Sequence, residues 1–403
     1  MRALFHRYRQ TFSGLPRPVW ILAFCLFVNR FGMMVLPFFE LYLTKGRGLA
    51  VDDAGRIVAL YGVGSIAGIV IGGWLTDRFG PRRVQLTSLV LNGLALQALG
   101  HMQSTWSIAA VWVCASLAGE SFRPANGAAI SAAVGPEARA RAFSLMSLAV
   151  CVGLTFGLPL GGFLAELDYQ WLFRVDGGTA WLAGLFLWRY GEKDDARAGA
   201  RRESAMPAAS VWRDREFVLV LLLLCTTATV LFQFFGALPV FLEGDLGFSK
   251  AGVGKILAVN SGLIALLQMP IIRRFESRAA LPWIGVGAAL ICLGYGVNAL
   301  AHGTAVAVVS VVGWTLGEML YFPLGAAYAS HRAPPGAEGR YMSAYGLSTA
   351  VPLLMAPLIG TAVYQSHGPV VLWSGCAAVA FVVGPAFFVL ERARQGVRSG
   401  GSM

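Results

Sequence analysis

The sequence predicts an all-α polytopic membrane protein with twelve transmembrane helices in two pseudo-symmetric six-helix bundles. Three observations predict it. Of 403 residues, 56% are apolar and only 13% charged, about half the charged share of ordinary soluble chains. Apolar runs of about 20 residues, the length that crosses a bilayer as a helix, recur along the chain. Finally, Gly119-Glu120 and Gly127-Ala128-Ala129 reappear as Gly317-Glu318 and Gly325-Ala326-Ala327, and Pro159, Leu160 and Gly162 as Pro357, Leu358 and Gly360, all displaced by 198 residues. Parallel duplication of a six-helix unit is a transporter design.

The apolar segments cover 18–43, 54–76, 83–101, 105–131, 141–165, 171–190, 216–242, 251–272, 281–301, 304–330, 341–364 and 369–390. Segment 1 is too long for a signal-peptide core and reads as a retained helix. The hydrophilic run 191–215 lacks an apolar period, which divides the chain into bundles 1–190 and 216–403 joined by a linker. Loop charge sets the orientation. With the N-terminus inside, 24 Lys and Arg fall on the cytoplasmic side against 6 outside, so both termini are expected in the cytoplasm, as in a bacterial inner (plasma) membrane protein. The same bias explains the net charge of +11 without nucleic acid. The six cysteines lie inside apolar segments with no CxxC pair, and the five histidines lie at segment ends or in loops. Neither pattern suggests a metal or a disulfide. No Walker loop or large soluble domain is present. The expectation is therefore no enzyme and no cofactor, but a monomeric carrier whose partners are a small-molecule substrate, protons and membrane lipids.

Between segments 2 and 3 stands Gly73-Trp74-Leu75-Thr76-Asp77-Arg78-Phe79-Gly80-Pro81-Arg82-Arg83. It resembles the GxxxDRxGxRR signature of the major facilitator superfamily at every specified position. The resemblance implies two six-helix bundles rocking around a central cavity. Gly73 is expected to permit close helix approach. Asp77 reads as a gate residue, because an acidic side chain adds nothing to topology, and Arg78, Arg82 and Arg83 as its partners or as anchors; Gly80 completes the motif. The second half keeps only Arg273-Arg274-Phe275-Glu276-Ser277-Arg278 at the matching place, so a latch there would be asymmetric.

Ionisable side chains inside a bilayer segment cost at least ~2.5–3.5 kcal/mol. Five stand out: Arg30 and Glu40, Glu120 and Arg123, and Glu318. Arg123-x-x-Asn126-Gly127 resembles the family's RxxQG motif, whose arginine is tied to proton transfer. Glu120 and Arg123 share a helix face and either neutralise each other or couple protonation to movement. Glu318 has no basic residue within a turn of its own helix, and taking a lone carboxylate out of water favours its protonated form. It is the leading candidate for a proton carrier. A Gly-Glu-x4-Pro pattern around it resembles helix 10 of proton-coupled facilitators, both multidrug exporters and peptide carriers. Asn29-Arg30 suggests a cavity arginine; Glu40 is either in the cavity or at the interface. Gln233, Asn260 and Gln268 are candidate cavity polar groups, with Trp314 and Tyr321 as aromatic contacts. Gly153, Gly157, Pro159, Gly161 and Gly162 resemble the family's exporter motif on helix 5, with the proline displaced by one.

The expected function is secondary active transport by alternating access, with proton-coupled export (antiport) of lipophilic or cationic small molecules leading. Proton-coupled import of peptides or organic anions is the alternative, and a non-transporting receptor or scaffold a third. The topology is directly testable. A Ser204→Cys substitution should react with an impermeant maleimide only after the membrane is opened; labelling in intact cells would overturn the orientation.

Overall fold

The computed structural model describes Phe12 and residues 14–191, 211–275, 278–300, 303–334 and 338–400. Residues 192–210 of the expected linker, and Glu276 and Ser277 after segment 8, lie outside them. All regular structure among the described residues is helical: α1 (Arg17–Gly32), α2 (Val35–Leu41), α3 (Val51–Phe79), α4 (Pro81–His101), α5 (Thr105–Ala133), α6 (Pro136–Leu167), α7 (Gln170–Tyr190), α8 (Arg215–Leu231), α9 (Ala237–Gly244), α10 (Lys250–Phe275), α11 (Ala280–Gly296), α12 (Thr304–Arg332) and α13 (Glu338–Gly400).

Eight described stretches are long and apolar enough to cross a membrane. One of them, Ala344–Gln395, is double, because Gly368 at φ 83 breaks α13 into two rods. α4, α5 and α7 carry more polar residues but, at 21, 29 and 21 residues, also have spanning length. Together these make the twelve spans expected. Spans 1 and 7 are not continuous helices, as a simple apolar run would suggest. Span 1 breaks between α1 and α2 and ends in a π-turn at Tyr42–Gly46. Span 7 is interrupted by a 3-10 turn at Phe232–Phe235 before α9.

The exposure pattern is that of a lipid-solvated molecule. Val70, Leu91, Phe156, Leu185 and Phe381 are exposed, whereas Glu40, Ser65, Glu120, Thr227 and Thr315 are buried. Apart from Trp181 in mid-α7, the exposed tryptophans lie near span ends, at Trp20, Trp74, Trp106, Trp171, Trp188 and Trp212, where indoles favour the headgroup level. Cys114 is exposed too, so core packing does not describe all six thiols.

The described residues form two compact units, Met1–Leu36 with Val63–Glu203 and Pro37–Gly62 with Ser204–Met403. In the first, α4 packs on α5 and α7, and α1 on α6 and α7. In the second, α11 packs on α12 and α13 in the same pattern. Glycines set these approaches. A Cβ at Gly68 would lie 2.4 Å from the Leu117 carbonyl oxygen, and one at Gly317 would lie 2.4 Å from that of Gly287.

At one end of the second unit, Arg332 ties three helices together. Its Nε and Nη2 donate to Asp214 at 2.8 and 2.9 Å, and Nη1 lies 2.9 Å from Glu216. Tyr341 donates to Asp214 and Tyr328 to Glu216. Asp214 also caps α8 by accepting from the Phe217 amide at 3.1 Å. Partial burial alone would raise the Asp214 carboxyl, but the Arg332 hydrogen bond and the Phe217 amide outweigh it and hold it below its ordinary value. The knot's stability contribution is therefore complete above the ordinary Asp value of ~3.9 and is lost as pH falls through the lower folded value. We expect Arg332→Gln to cost about 1–3 kcal/mol of unfolding free energy at neutral pH and to flatten this acid dependence. Unfolding in mixed micelles across pH would read both.

Candidate functional site

The second unit holds a polar array on two crossing helices. Glu318 stands on α12 and Asn260 on α10. The Asn260 Nδ2 donates to Glu318 Oε2 at 2.7 Å and to Thr315 Oγ1 at 3.1 Å. The Thr315 hydroxyl spends its own proton on the Val311 carbonyl at 2.5 Å, which leaves a lone pair for the amide. Glu318 and Thr315 are three apart, so one turn of α12 presents both to Asn260. Glu318, expected to stand alone, is thus hydrogen-bonded by a neutral amide, and no described cation forms an ion pair with it. It is half-buried.

In the first unit, Arg123 and Glu120 of α5 form an ion pair at 3.0 Å, the carboxylate 4% and the guanidinium 53% exposed. Asn126, one turn on, accepts from Gln85 Nε2 at 3.1 Å. Asn29 and Arg30 occupy the last turn of α1 and are half-buried. The guanidinium of Arg30 reaches the Met33 sulfur, and its Nε is buried without a hydrogen-bond partner.

Trp314 and Tyr321 are packed in the core in this conformation, each 1% exposed. Trp314 is stacked on Tyr295 and edge-on to Phe234, and the Tyr321 hydroxyl donates to the Leu224 carbonyl. Gln233 is equally enclosed: it sits in the break of span 7 and donates to the Ala356 carbonyl at 2.9 Å. Gln268 is half-buried on α10. Glu40 is neither interfacial nor on an open cavity, since it is 0% exposed. Gly73 has open space around it; the close approach belongs to Gly72, where a Cβ would lie 2.6 Å from the Ser121 Cα. The two neighbours point to different sides of α3, and sequence spacing alone does not say which faces α5.

The loop between α3 and α4 is built by its glycine. Gly80 has φ 87, a left-handed conformation that other residues resist, and its amide closes α3 onto the Thr76 carbonyl. Arg78 lies over the rings of Trp74 and Phe79, and Arg82 donates to the Trp188 carbonyl at 2.7 Å, tying α4 to the end of α7. Asp77 and Arg83 are exposed here. On α6, Gly153 and Gly157 admit the backbone of α1: Cβ atoms there would lie 2.9 and 2.2 Å from the carbonyl oxygens of Phe27 and Phe31. Gly161 and Gly162 are buried, and α6 runs unbroken through Pro159. Among the described residues no three His, Cys, Asp or Glu side chains are grouped to hold a metal.

The sequence profile of the Major Facilitator Superfamily matches residues 20–357. The chain belongs to this superfamily. Members of it are transporters rather than enzymes, which sets aside the scaffold alternative. The chain is 28% identical to the tetracycline resistance protein, class C, of Escherichia coli, over 86% of this chain and 87% of the relative. It is 23% identical to a Na(+), Li(+), K(+)/H(+) antiporter of Planococcus maritimus, over 82% and 86%. Its fold matches that of a POT family transporter crystallised with 5-aminolevulinic acid, at a TM-score of 0.80 and 14% identity over 94% and 96% of the two chains.

One buried charge in this superfamily member escapes a reading by motif. Asp176 of α7 is 6% exposed, and its Oδ2 accepts from the amides of Met34 and Val35 at 3.2 and 3.1 Å. It therefore satisfies the donors that the break in span 1 sets free, close enough to Arg30 for their charges to interact. The signal was an aspartate six residues inside segment 6, next to Gly177-Gly178, hidden by counting only the charges that neighbour a known pattern. Asp176→Leu should leave the buried Val35 amide unpaired, at ~1–3 kcal/mol, and remove one of the two acceptors of the Met34 amide, which also donates to the Gly32 carbonyl, while Asp176→Asn keeps an acceptor and should lose much less. Equal stability of the leucine variant in mixed-micelle unfolding would remove Asp176 from this role.

Proposed function

We propose that this chain is a proton-coupled exporter, a monomeric antiporter that moves lipophilic or cationic small molecules out across a bacterial inner membrane, with both termini cytoplasmic. The observation that carries the reading is the Glu318–Asn260–Thr315 array. A carboxyl group inside a spanning helix is retained at a cost. Here its described partner is a neutral amide, which orients the group without fixing its charge, so the proton remains exchangeable. Asn260 spends both amide hydrogens on the array and so holds the carboxyl in one place on α12. Glu120 is different: it is held in an ion pair by Arg123, whose guanidinium is 53% exposed, so this pair serves as a charge switch that movement of Arg123 would open. The turn at Gly80, with Asp77 and Arg82, acts as a latch on the cytoplasmic ends of α3 and α4. Two relatives, an ion/proton antiporter and a tetracycline resistance protein, support this reading.

A second reading, proton-coupled import of peptides or organic anions, is favoured by Arg30, whose buried Nε lacks a partner and suits a carboxylate. Uptake and efflux in proteoliposomes with an imposed pH gradient, over cationic, neutral and anionic substrates, separate the two. Under the export reading Glu318→Gln retains substrate binding and loses accumulation driven by the gradient. If Glu318→Gln still accumulates substrate with the unaltered pH dependence, Glu318 is not the proton carrier.

A further inference from the structure

Glu40 is a buried acidic residue that this mechanism leaves unused. It lies on α2, past the break in span 1, with a side chain 0% exposed. Neither carboxyl oxygen has a hydrogen-bond partner. Residues Val35–Leu41 carry no other charge and are all buried. Of the described groups, Tyr364 on the first rod of α13 is near enough to interact electrostatically with Glu40, and its hydroxyl is already committed to the Asp245 carboxylate beyond α9. The nearest cations in sequence, Lys45 and Arg47, lie beyond the π-turn, with Arg47 over the Tyr42 ring. An ionised carboxylate buried without a cation or a protein donor is among the costliest arrangements a protein interior can hold.

The surroundings also say where the group would meet water. Residues 37–41 of α2, Glu40 among them, and the start of α3 belong to the same compact unit as α13. There the Asp52 amide donates to Gln365, and a Cβ at Gly55 would lie 1.9 Å from the Thr361 hydroxyl. This seam holds the start of α3 tightly against the first rod of α13, which also carries Tyr364.

We propose that Glu40 is a second proton-binding site, a carboxylic acid in the conformation seen here that exchanges its proton with outer water once the α3–α13 seam opens. On opening, the carboxyl O–H bond breaks, the proton passes to water as hydronium and the carboxylate is solvated; closing reverses the step. Its place in transport rests on the proton-coupled reading above, whereas the protonation of Glu40 itself does not.

Infrared difference spectroscopy on the full chain in lipid tests this. The protein should show a protonated carboxyl band, at the high frequency of an acid without a strong hydrogen bond, that shifts in D2O, vanishes in Glu40→Gln and persists in Glu318→Gln. In proteoliposomes, Glu40→Gln should move one proton fewer per substrate than the unsubstituted protein. A band unchanged by Glu40→Gln, or an unchanged stoichiometry, overturns the proposal and leaves the Glu318 reading standing. Loss of coupling in Glu40→Gln but not in Glu318→Gln would do the opposite. Should Glu40→Gln fail to fold, Glu40→Asp must shift the same band, and no shift there counts against the site.

Discussion

Hydrocarbon offers no hydrogen bonds, so every backbone amide that leaves a helix inside the bilayer must find a partner within the protein. The architecture follows from meeting that demand at two breaks. In span 1 the amides of Met34 and Val35 are taken by the Asp176 carboxylate. In span 7 the turn at Phe232–Phe235 is fastened by Gln233 to the Ala356 carbonyl, and by the Tyr295 hydroxyl to that of Leu231. A broken span costs nothing in backbone pairing once such a partner is supplied, and it gives a rod two directions instead of one. Arg30 and Glu40, two of the ionisable side chains within spans, lie on either side of the first of these breaks in sequence.

Glycine meets the other demand, which is proximity. With no hydrophobic drive between helices in lipid, contact comes from close backbone approach. Gly153 and Gly157 seat α6 on α1, Gly68 and Gly72 seat α3 on α5, and Gly287 and Gly317 seat α11 against α12. At these contacts even a methyl group would collide with backbone, so the small residues fix the angles at which Glu120 and Glu318 are presented.

Much of this was legible in the sequence. Twelve apolar runs, the repeat at an offset of 198 and the Gly73–Arg83 motif specify the family and the order of spans. The pairing of Glu120 with Arg123 follows from a spacing of three on one helix. What was not legible depends on tertiary direction. Nothing in the spacing tells Gly72 from Gly73, or places Asn260 of α10 against Glu318 of α12, because the register between distant helices is set by packing. The aromatic candidates Trp314 and Tyr321 were drawn into the core by the same ambiguity, since a large ring on a spanning helix suits a ligand and a neighbour equally well. Asp176 was missed because its task concerns another helix's backbone, and a backbone break leaves no residue signature in an apolar run.

The reversal at Gly368 has a consequence for how the chain enters the membrane. One residue with φ 83, followed by Pro369, turns the first rod of α13 into the second. No loop intervenes, so the two rods form a hairpin of fixed reach that leaves the insertion machinery as one piece. The membrane surface there presents only a bend, with too little exposed chain to accept an inserted epitope without prying the rods apart.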